Sequence, residues 1–174
     1  IDGDLYAKAA AILKNTKVKK VVFDPKEWSV AGFDRVRSQV DITFEPQMDF
    51  SHKRRMIKSE EELKILSRAA KLGAKAFKAL AAEFNAEGLG ESEYRLTYKA
   101  KSILSDFGSY DLSFDPIVAI NKNAAKPHAT PTSRKLSWGD LLLVDAGLKY
   151  KRYCSDRSRT VYAQEGFGFT TRQT

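Results

Sequence analysis

Hydrophobic residues in the first 45 positions follow a helix, strand, helix, strand order. One helical face carries the apolar residues Leu5, Ala9, Ile12 and Leu13. The apolar run at residues 20–24 predicts a short strand that Pro25 ends, and residues 29–38 and 41–45 predict a second helix and a second strand. A βαβ unit of this size buries little by itself, so we expect more of its sheet upstream.

Two amphipathic helices follow. Ser59 and Glu62 form a capping box, and helical spacing then continues until Gly88. The predicted buried stripe of this helix is Leu63, Leu66, Ala70, Ala74, Phe77, Leu80, Ala81 and Phe84. Ser92 begins the second helix and Gly108 ends it, with a predicted buried face of Leu96, Ala100, Ile103 and Phe107. Both helices are therefore expected to pack on a core.

Spacing typical of strands dominates the last third of the chain. Strands are predicted at residues 116–120, 141–146 and 153–163. The Asn-, Pro- and Thr-rich loop at residues 121–133 has the length of ordered functional loops. Residues 46–59 contain Pro, Ser and a basic cluster and are predicted as a linker or domain boundary. The whole pattern indicates a mixed α/β (α+β) chain.

Composition excludes several classes of protein. The 174 residues are 43% hydrophobic and 11% aromatic, which is too apolar for a disordered chain. The longest apolar run, at residues 141–144, is far shorter than the roughly 18 residues of a membrane span. The single cysteine, Cys154, cannot form a disulfide framework, so we expect a soluble, cytoplasmic protein with no membrane partner.

An acidic pair near the end of the chain is the main candidate for chemistry. Asp145 interrupts an otherwise apolar strand, and Asp156 follows eleven positions later. A hairpin with its tip at Tyr150 and Lys151 would place the two residues opposite each other, with Cβ atoms about 5 Å apart. Such carboxylates repel and need a cation or a shared proton, and a pair of divalent ions that activates water fits them.

Two ordinary interpretations of the same residues remain open. Asp145 could cap a turn at Gly147, and Asp156 could pair with Arg157 or Arg159. Spacing alone does not choose between these interpretations and a metal site.

Several motifs together resemble the pita-bread metallopeptidases, a creatinase-like group that includes aminopeptidase P and prolidase. The hairpin sequences Val-Asp-Ala-Gly at 144–147 and Tyr-Cys-Ser-Asp-Arg-Ser-Arg-Thr at 153–160 resemble the metal-site hairpin of the group. Phe-Asp-Pro-Ile-Val-Ala at 114–119 and Asn-Ala-Ala-Lys-Pro-His at 123–128 resemble its strand and the loop that carries an active-site His. The resemblance spans about residues 54–163, and residues 1–45 resemble the end of the ribonuclease-H-like domain that precedes it.

The resemblance implies the organisation and the site residues. Residues 1–52 would be a residual creatinase-type N-terminal domain, and residues 53–174 the first half of a pita-bread catalytic domain. Asp145 and Asp156 would be metal ligands, with Asp156 bridging two divalent ions. His128 would contact the substrate or the tetrahedral intermediate without binding metal. From the chemistry of the pair, we expect the repulsion between the two carboxylates to be relieved by water, by a neighbouring Arg159, or by partial protonation of one acid.

The resemblance also implies a reaction: hydrolysis of a peptide bond, the one that precedes proline, by a metal-bound hydroxide. Oxygen ligands favour Mn²⁺, with Zn²⁺ or Co²⁺ as alternatives. The family needs a further ligand His and two ligand Glu residues. His52 lies in the predicted linker and Glu165 follows the hairpin too closely, so neither completes the set. We expect an N-terminal portion of a longer enzyme that is inactive by itself, binds metal weakly or not at all, and self-associates.

Rival interpretations rest on charge and on Cys154. The formal charge is +8, from 30 Lys and Arg against 22 Asp and Glu. Nucleic-acid binding would use two basic groups: Lys53, Arg54, Arg55 and Lys58, and Lys149, Lys151, Arg152, Arg157 and Arg159. No recognition motif accompanies them, so a peptide is the expected partner. A pita-bread protein that binds without catalysing is a second rival. Cys154 lacks a His partner for nucleophilic chemistry and is expected to be a small buried residue.

Overall fold

The computed structural model describes residues 4–164, which divide into two compact units after Ser59. The sequence placed the boundary after residue 52, a position that lies inside a helix in the structure. Each unit is described separately. No helix in the described part of the chain has the length and the apolar character needed to cross a bilayer.

The first unit is built around a pair of parallel strands. Its elements are α1 (Leu5–Lys14), β1 (Lys20–Phe23), a 3-10 turn (Pro25–Glu27), α2 (Val30–Arg37), β2 (Thr43–Pro46) and α3 (Phe50–Met56). Strands β1 and β2 pair in parallel with Lys20 opposite Thr43, which confirms the predicted βαβ unit. Phe23, Phe33 and Phe44 pack as an aromatic cluster with ring centroids 4.6 to 6.2 Å apart.

Helix α3 corrects the predicted linker at residues 46–59. Asp49, in the left-handed region with φ 60°, precedes the helix without a side-chain cap, and the helix buries none of its residues. Its last turn carries Lys53, Arg54 and Arg55, whose charges favour the carbonyl end of a helix. A helix without an apolar stripe produces no helical periodicity in the sequence, and for this reason the pattern did not predict it.

The second unit packs two helices on an antiparallel sheet. Its helices are α4 (Glu60–Glu87) and α5 (Glu93–Leu104). The sheet has the order β3-β4-β7, formed by Ile117–Ile120, Leu141–Ala146 and Arg157–Tyr162. A small hairpin of β5 (Lys149–Tyr150) and β6 (Tyr153–Cys154) lies between β4 and β7 in the chain. The buried core includes Phe77, Leu80, Phe84, Leu96, Leu104, Val118, Ile120, Leu142 and Val144.

Helix packing follows the predicted stripes only in part. The buried residues of α4 are Ala69, Gly73, Phe77, Leu80 and Phe84, whereas Leu63 and Ala70 of the predicted stripe are exposed. Helix α5 begins after its predicted N-cap, where the Arg95 N–H donates to Ser92 Oγ, but it ends at Leu104. Asp106 and Phe107 then adopt left-handed backbone angles, which turn Phe107 away from the core.

Candidate active site

Strand β4 presents Asp145 on the sheet face away from the helices. Leu142, Val144 and Ala146 are buried in the core, whereas Asp145 alternates with them and is half-buried. Its cross-strand neighbours are Ile117 on β3 and Ser158 on β7. The Ser158 hydroxyl donates a hydrogen bond of 2.7 Å to Asp145 Oδ1.

The observed hairpin register differs from the predicted one by two residues. The turn is at Lys151 and Arg152, both with positive φ, and Asp145 pairs with Ser158 instead of Asp156. Direct opposition of the two acids was therefore a wrong prediction. A shift of one residue would reverse the facing of a strand, but a shift of two preserves it. Asp156, just before β7, accordingly still lines the same cavity as Asp145.

That cavity, of about 540 Å³, gathers three of the four predicted site residues: His128, Asp145 and Asp156. Its apolar wall is formed by Phe114, Pro116, Ile117, Ala129 and Pro131. An ion pair between Lys101 and Asp115, with 2.9 Å between Nζ and Oδ1, also lines it. Acidic, basic and apolar groups therefore face one space that can admit a peptide-sized ligand.

The two carboxylates suit a divalent cation. Within residues 4–164, neither Asp145 nor Asp156 forms an ion pair, and Asp145 accepts only the Ser158 hydrogen bond. Carboxylates that line one cavity without an ion-pair partner are typical ligands of hard divalent ions. Over the same residues, no group of three or more His, Cys, Asp or Glu side chains converges closely enough to hold a metal.

The arginines do not neutralise this pair in the described part of the chain. Arg159 lies opposite Val144, so it is on the other face of the ladder from Asp145, and its Nη1 donates to the Ser158 carbonyl. The Arg157 guanidinium lies 6.0 Å from the ring centroid of Phe77. The structure thus does not bring Arg159 into contact with the carboxylates, and its charge-balancing role remains a prediction without a supporting contact.

His128 reaches the cavity from the loop between β3 and β4. A 3-10 turn (Asn121–Asn123) begins this loop, and His128 itself is exposed with φ 52°. His52 lies in α3 of the first unit, and Glu165 lies outside the described residues.

Three features near the site were missed or wrongly predicted. Gly147 was interpreted as a turn residue and as the last residue of the motif at 144–147, but not as a site of close approach, yet a Cβ there would lie 1.9 Å from the Ser155 carbonyl oxygen. Glu93 was not singled out from the sequence, yet its side chain, in the first turn of α5, is completely buried. Cys154, expected to be buried, is exposed. Each of these three properties depends on neighbours distant in sequence. The one local signal was the Ser-Glu pair at 92–93, an N-cap Ser followed by an acidic residue.

Comparison with known proteins supports a peptidase assignment. The profile of metallopeptidase family M24 matches residues 64–173. An uncharacterized peptidase of Methanocaldococcus jannaschii is 34% identical over 145 residues, which cover 78% of this chain and 41% of that protein. An uncharacterized peptidase of Bacillus subtilis is 32% identical over 162 residues, covering 91% of this chain and 44% of that protein.

Solved structures agree with the sequence relatives. The X-Pro aminopeptidase of Thermotoga maritima superposes with a TM-score of 0.76 at 25% identity, over 92% of this chain and 45% of that one. The Xaa-Pro dipeptidase of Bacillus anthracis gives a TM-score of 0.74 at 28% identity, over 93% and 45% respectively. These likenesses support the predicted pita-bread fold. The chain spans less than half the length of these proteins, and on the strength of the matched profile and relatives it belongs to metallopeptidase family M24.

Proposed function

We propose that the longer protein containing this chain hydrolyses the peptide bond that precedes proline, as an aminopeptidase or a dipeptidase. The observation that carries the proposal is the convergence of His128, Asp145 and Asp156 on one cavity with an apolar wall. The substrate class is taken from the X-Pro aminopeptidase and the Xaa-Pro dipeptidase, which the chain resembles in fold.

Each site residue of the chain would have a separate role in the reaction. Asp145 and Asp156 would both hold the two divalent ions, Mn²⁺ by preference. When bound, these ions would supply Lewis acidity and lower the pKa of a water molecule. His128 would donate a hydrogen bond to the oxyanion that develops on the substrate carbonyl. The apolar wall of Phe114, Pro116 and Ile117 would pack against the substrate side chain.

Further parts of the proposal concern the protein as a whole. The remaining ligands, one His and two Glu, would come from sequence beyond this chain, so the 174 residues alone would be inactive. Residues 1–52 would be the end of a ribonuclease-H-like N-terminal domain, and the active protein would be a cytoplasmic homo-oligomer.

The test is kinetic and uses the longer protein loaded with Mn²⁺. Xaa-Pro peptides should be hydrolysed faster than matched Xaa-Ala peptides. His128→Ala should lower kcat by roughly 10²- to 10³-fold with bound metal unchanged, because only an oxyanion contact is lost. His52→Ala, in the other unit, is the matched control and should leave kcat unchanged.

Two outcomes would contradict the proposal. Loss of metal in His128→Ala would make this residue a ligand. Peptide binding without turnover in the metal-loaded wild type would favour a non-catalytic binding protein of the same fold.

A further inference from the structure

The buried carboxylate of Glu93 joins the two ends of the loop that carries His128. Glu93 lies in the first turn of α5, and its side chain is completely buried. The loop, residues 121–133, leaves β3 and returns past the N-terminus of this helix. A negative charge in a first helical turn is favoured by the helix dipole, which makes burial of this carboxylate less unfavourable.

Four hydrogen bonds reach this one carboxylate. Oε1 accepts from the Ile120 N–H at 2.6 Å, at the end of β3. Oε2 accepts from Asn123 Nδ2 at 2.9 Å, and from both the N–H and the hydroxyl of Thr132, at 2.7 and 2.6 Å. Asn123 Nδ2 also donates to the Thr130 carbonyl at 3.0 Å. The carboxylate therefore ties the start of the loop to its end, on either side of His128.

The backbone conformation at His128 needs such support. Its φ of 52° lies in the left-handed region, which is unfavourable for a residue other than glycine. Such a conformation persists only when surrounding contacts determine it. His128 is exposed and makes no hydrogen bond within the described residues, so its position depends on how the flanking loop is held.

We propose that Glu93 is a positioning residue, whose buried carboxylate sets the conformation of loop 121–133 and thereby holds His128 at the cavity of Asp145 and Asp156. The conformational part of this inference is independent of catalysis. Its functional meaning, alignment of His128 with a substrate, rests on the proposed function.

The test uses the 174-residue chain and its small number of histidines. In a His52→Gln background, His128 is the only histidine, so its ring and Cα signals are unambiguous in NMR spectra. Glu93→Gln leaves a single acceptor oxygen where two are needed. We expect amide exchange at Ile120 and Thr132 to accelerate about 10- to 100-fold, the effect of losing one or two charge-assisted hydrogen bonds. The His128 signals should shift, whereas the amides of β4 should keep their protection.

Three further variants separate positioning from general stability. Glu91→Gln is the matched control, because the side chain of this neighbouring acid pairs, among residues 4–164, only with Arg95 across 3.9 Å, and it should change nothing in the loop. Thr132→Val removes the hydroxyl, which donates to Glu93 and accepts from the Arg134 N–H at 3.2 Å, but it keeps the Thr132 N–H, so it should loosen the loop less than Glu93→Gln. Thr132→Ser keeps both donors and should behave as the wild type.

Three results of these measurements would overturn the proposal. Unchanged loop exchange and unchanged His128 signals in a folded Glu93→Gln variant would overturn the proposal. If Glu93→Gln does not fold, the Thr132 pair decides: equal loop exchange in Thr132→Val and Thr132→Ser would overturn it. Acceleration of β4 amides to the same extent as the loop would make Glu93 a residue of general stability and would also overturn it. No hydrolysis is measured, so none of these results bears on the proposed reaction.

Discussion

Gly147 is the position where one methyl group should disturb the candidate site most. It follows β4 immediately after Ala146, and an added Cβ would lie 1.9 Å from the Ser155 carbonyl oxygen and 3.0 Å from Ser113 Oγ. Ordinary van der Waals contact begins at about 3.4 Å, so relief requires Ser155 to move by about 1.5 Å. Because Ser155 directly precedes Asp156, that movement would displace one of the two candidate ligands.

The cost follows from the contacts that hold Ser155 in place. Its carbonyl accepts from Ser113 Oγ at 2.8 Å, its N–H donates to the Leu148 carbonyl at 2.9 Å, and its Oγ accepts from the Leu148 N–H at 3.1 Å. A shift of this size breaks all three, at about 1 kcal/mol each. We therefore expect Gly147→Ala to lower the free energy of unfolding of the second unit by about 3 kcal/mol, near the upper end for overpacking.

The assay is urea unfolding followed by tryptophan fluorescence. Trp28 lies in the first unit and Trp138 in the second, so a Trp28→Phe background makes Trp138 the reporter of the unit that contains Gly147. With an m-value of about 2 kcal/mol/M, the expected loss moves the urea midpoint down by about 1.5 M.

Gly73→Ala is the matched control. A Cβ at Gly73, inside α4, would lie 2.8 Å from the Ser155 hydroxyl oxygen. Unlike a backbone carbonyl, this hydroxyl can rotate away, at the cost of its hydrogen bond from the Leu148 N–H, about 1 kcal/mol. Alanine also gains about 1 kcal/mol over glycine in a helix, so the net change should stay within about 1 kcal/mol. Equal midpoints for the two variants would refute the reasoning, since they would show that the Ser155 backbone tolerates the methyl group.

Three other expectations concern metal and pH. The dialysed 174-residue chain should carry no stoichiometric metal by elemental analysis and should hydrolyse no Xaa-Pro peptide. The reason is that a durable metal site needs at least three protein ligands. Tight metal binding with turnover would instead show a complete site within these residues. Burial raises the pKa of Asp140, but hydrogen bonds from the Ser137 N–H, Asn121 and Arg134 outweigh it and leave that pKa below its ordinary 3.8. The ionised Asp140 carboxylate therefore contributes fully to the free energy of unfolding above about pH 4, and this contribution is lost as pH falls through the lowered pKa. Below pH 4, the urea midpoint of Asp140→Asn should consequently fall less steeply with pH than that of the wild type. Hydrogen bonds to Glu83 and Glu87 raise the pKa of Lys99 above its ordinary 10.5. The stability contribution of this ion-pair cluster is therefore fully present below 10.5 and is lost as pH rises through the raised pKa. The stability deficit of Lys99→Met, measured by circular dichroism, should shrink over that rise, and a constant deficit would contradict the ion-pair explanation.

The sequence alone predicted the elements that local periodicity encodes. Strand β4 lies at the predicted residues 141–146, and α5 begins after the predicted cap Ser92. The motif resemblance also predicted the family, which the matched profile confirms. Side-chain spacing and capping depend on residues within one or two turns of each other, so these features can be recognised without knowledge of the fold.

The hairpin register and the surroundings of the site were decided only by tertiary structure. Neither Tyr150-Lys151 nor the observed turn at Lys151-Arg152 contains the Gly or Asn that marks a two-residue turn, so no local signal separates the two registers. The pairing of β4 with β7 selects one of them. The same holds for the exposure of Cys154 and for Gly147, whose importance comes from the approach of Ser155.

Glu93 shows the physical reason most clearly. Its sequence neighbours predict an ordinary acidic residue in a first helical turn, yet its carboxylate is buried because Ile120, Asn123 and Thr132 supply donors from 27 to 39 positions away. A buried charge is tolerated only when such partners are in place, and they come together only when the loop closes over α5. Apart from α3, local sequence thus determined which segments became helices and strands. Long-range packing decided which polar side chains could be buried and which faced the cavity.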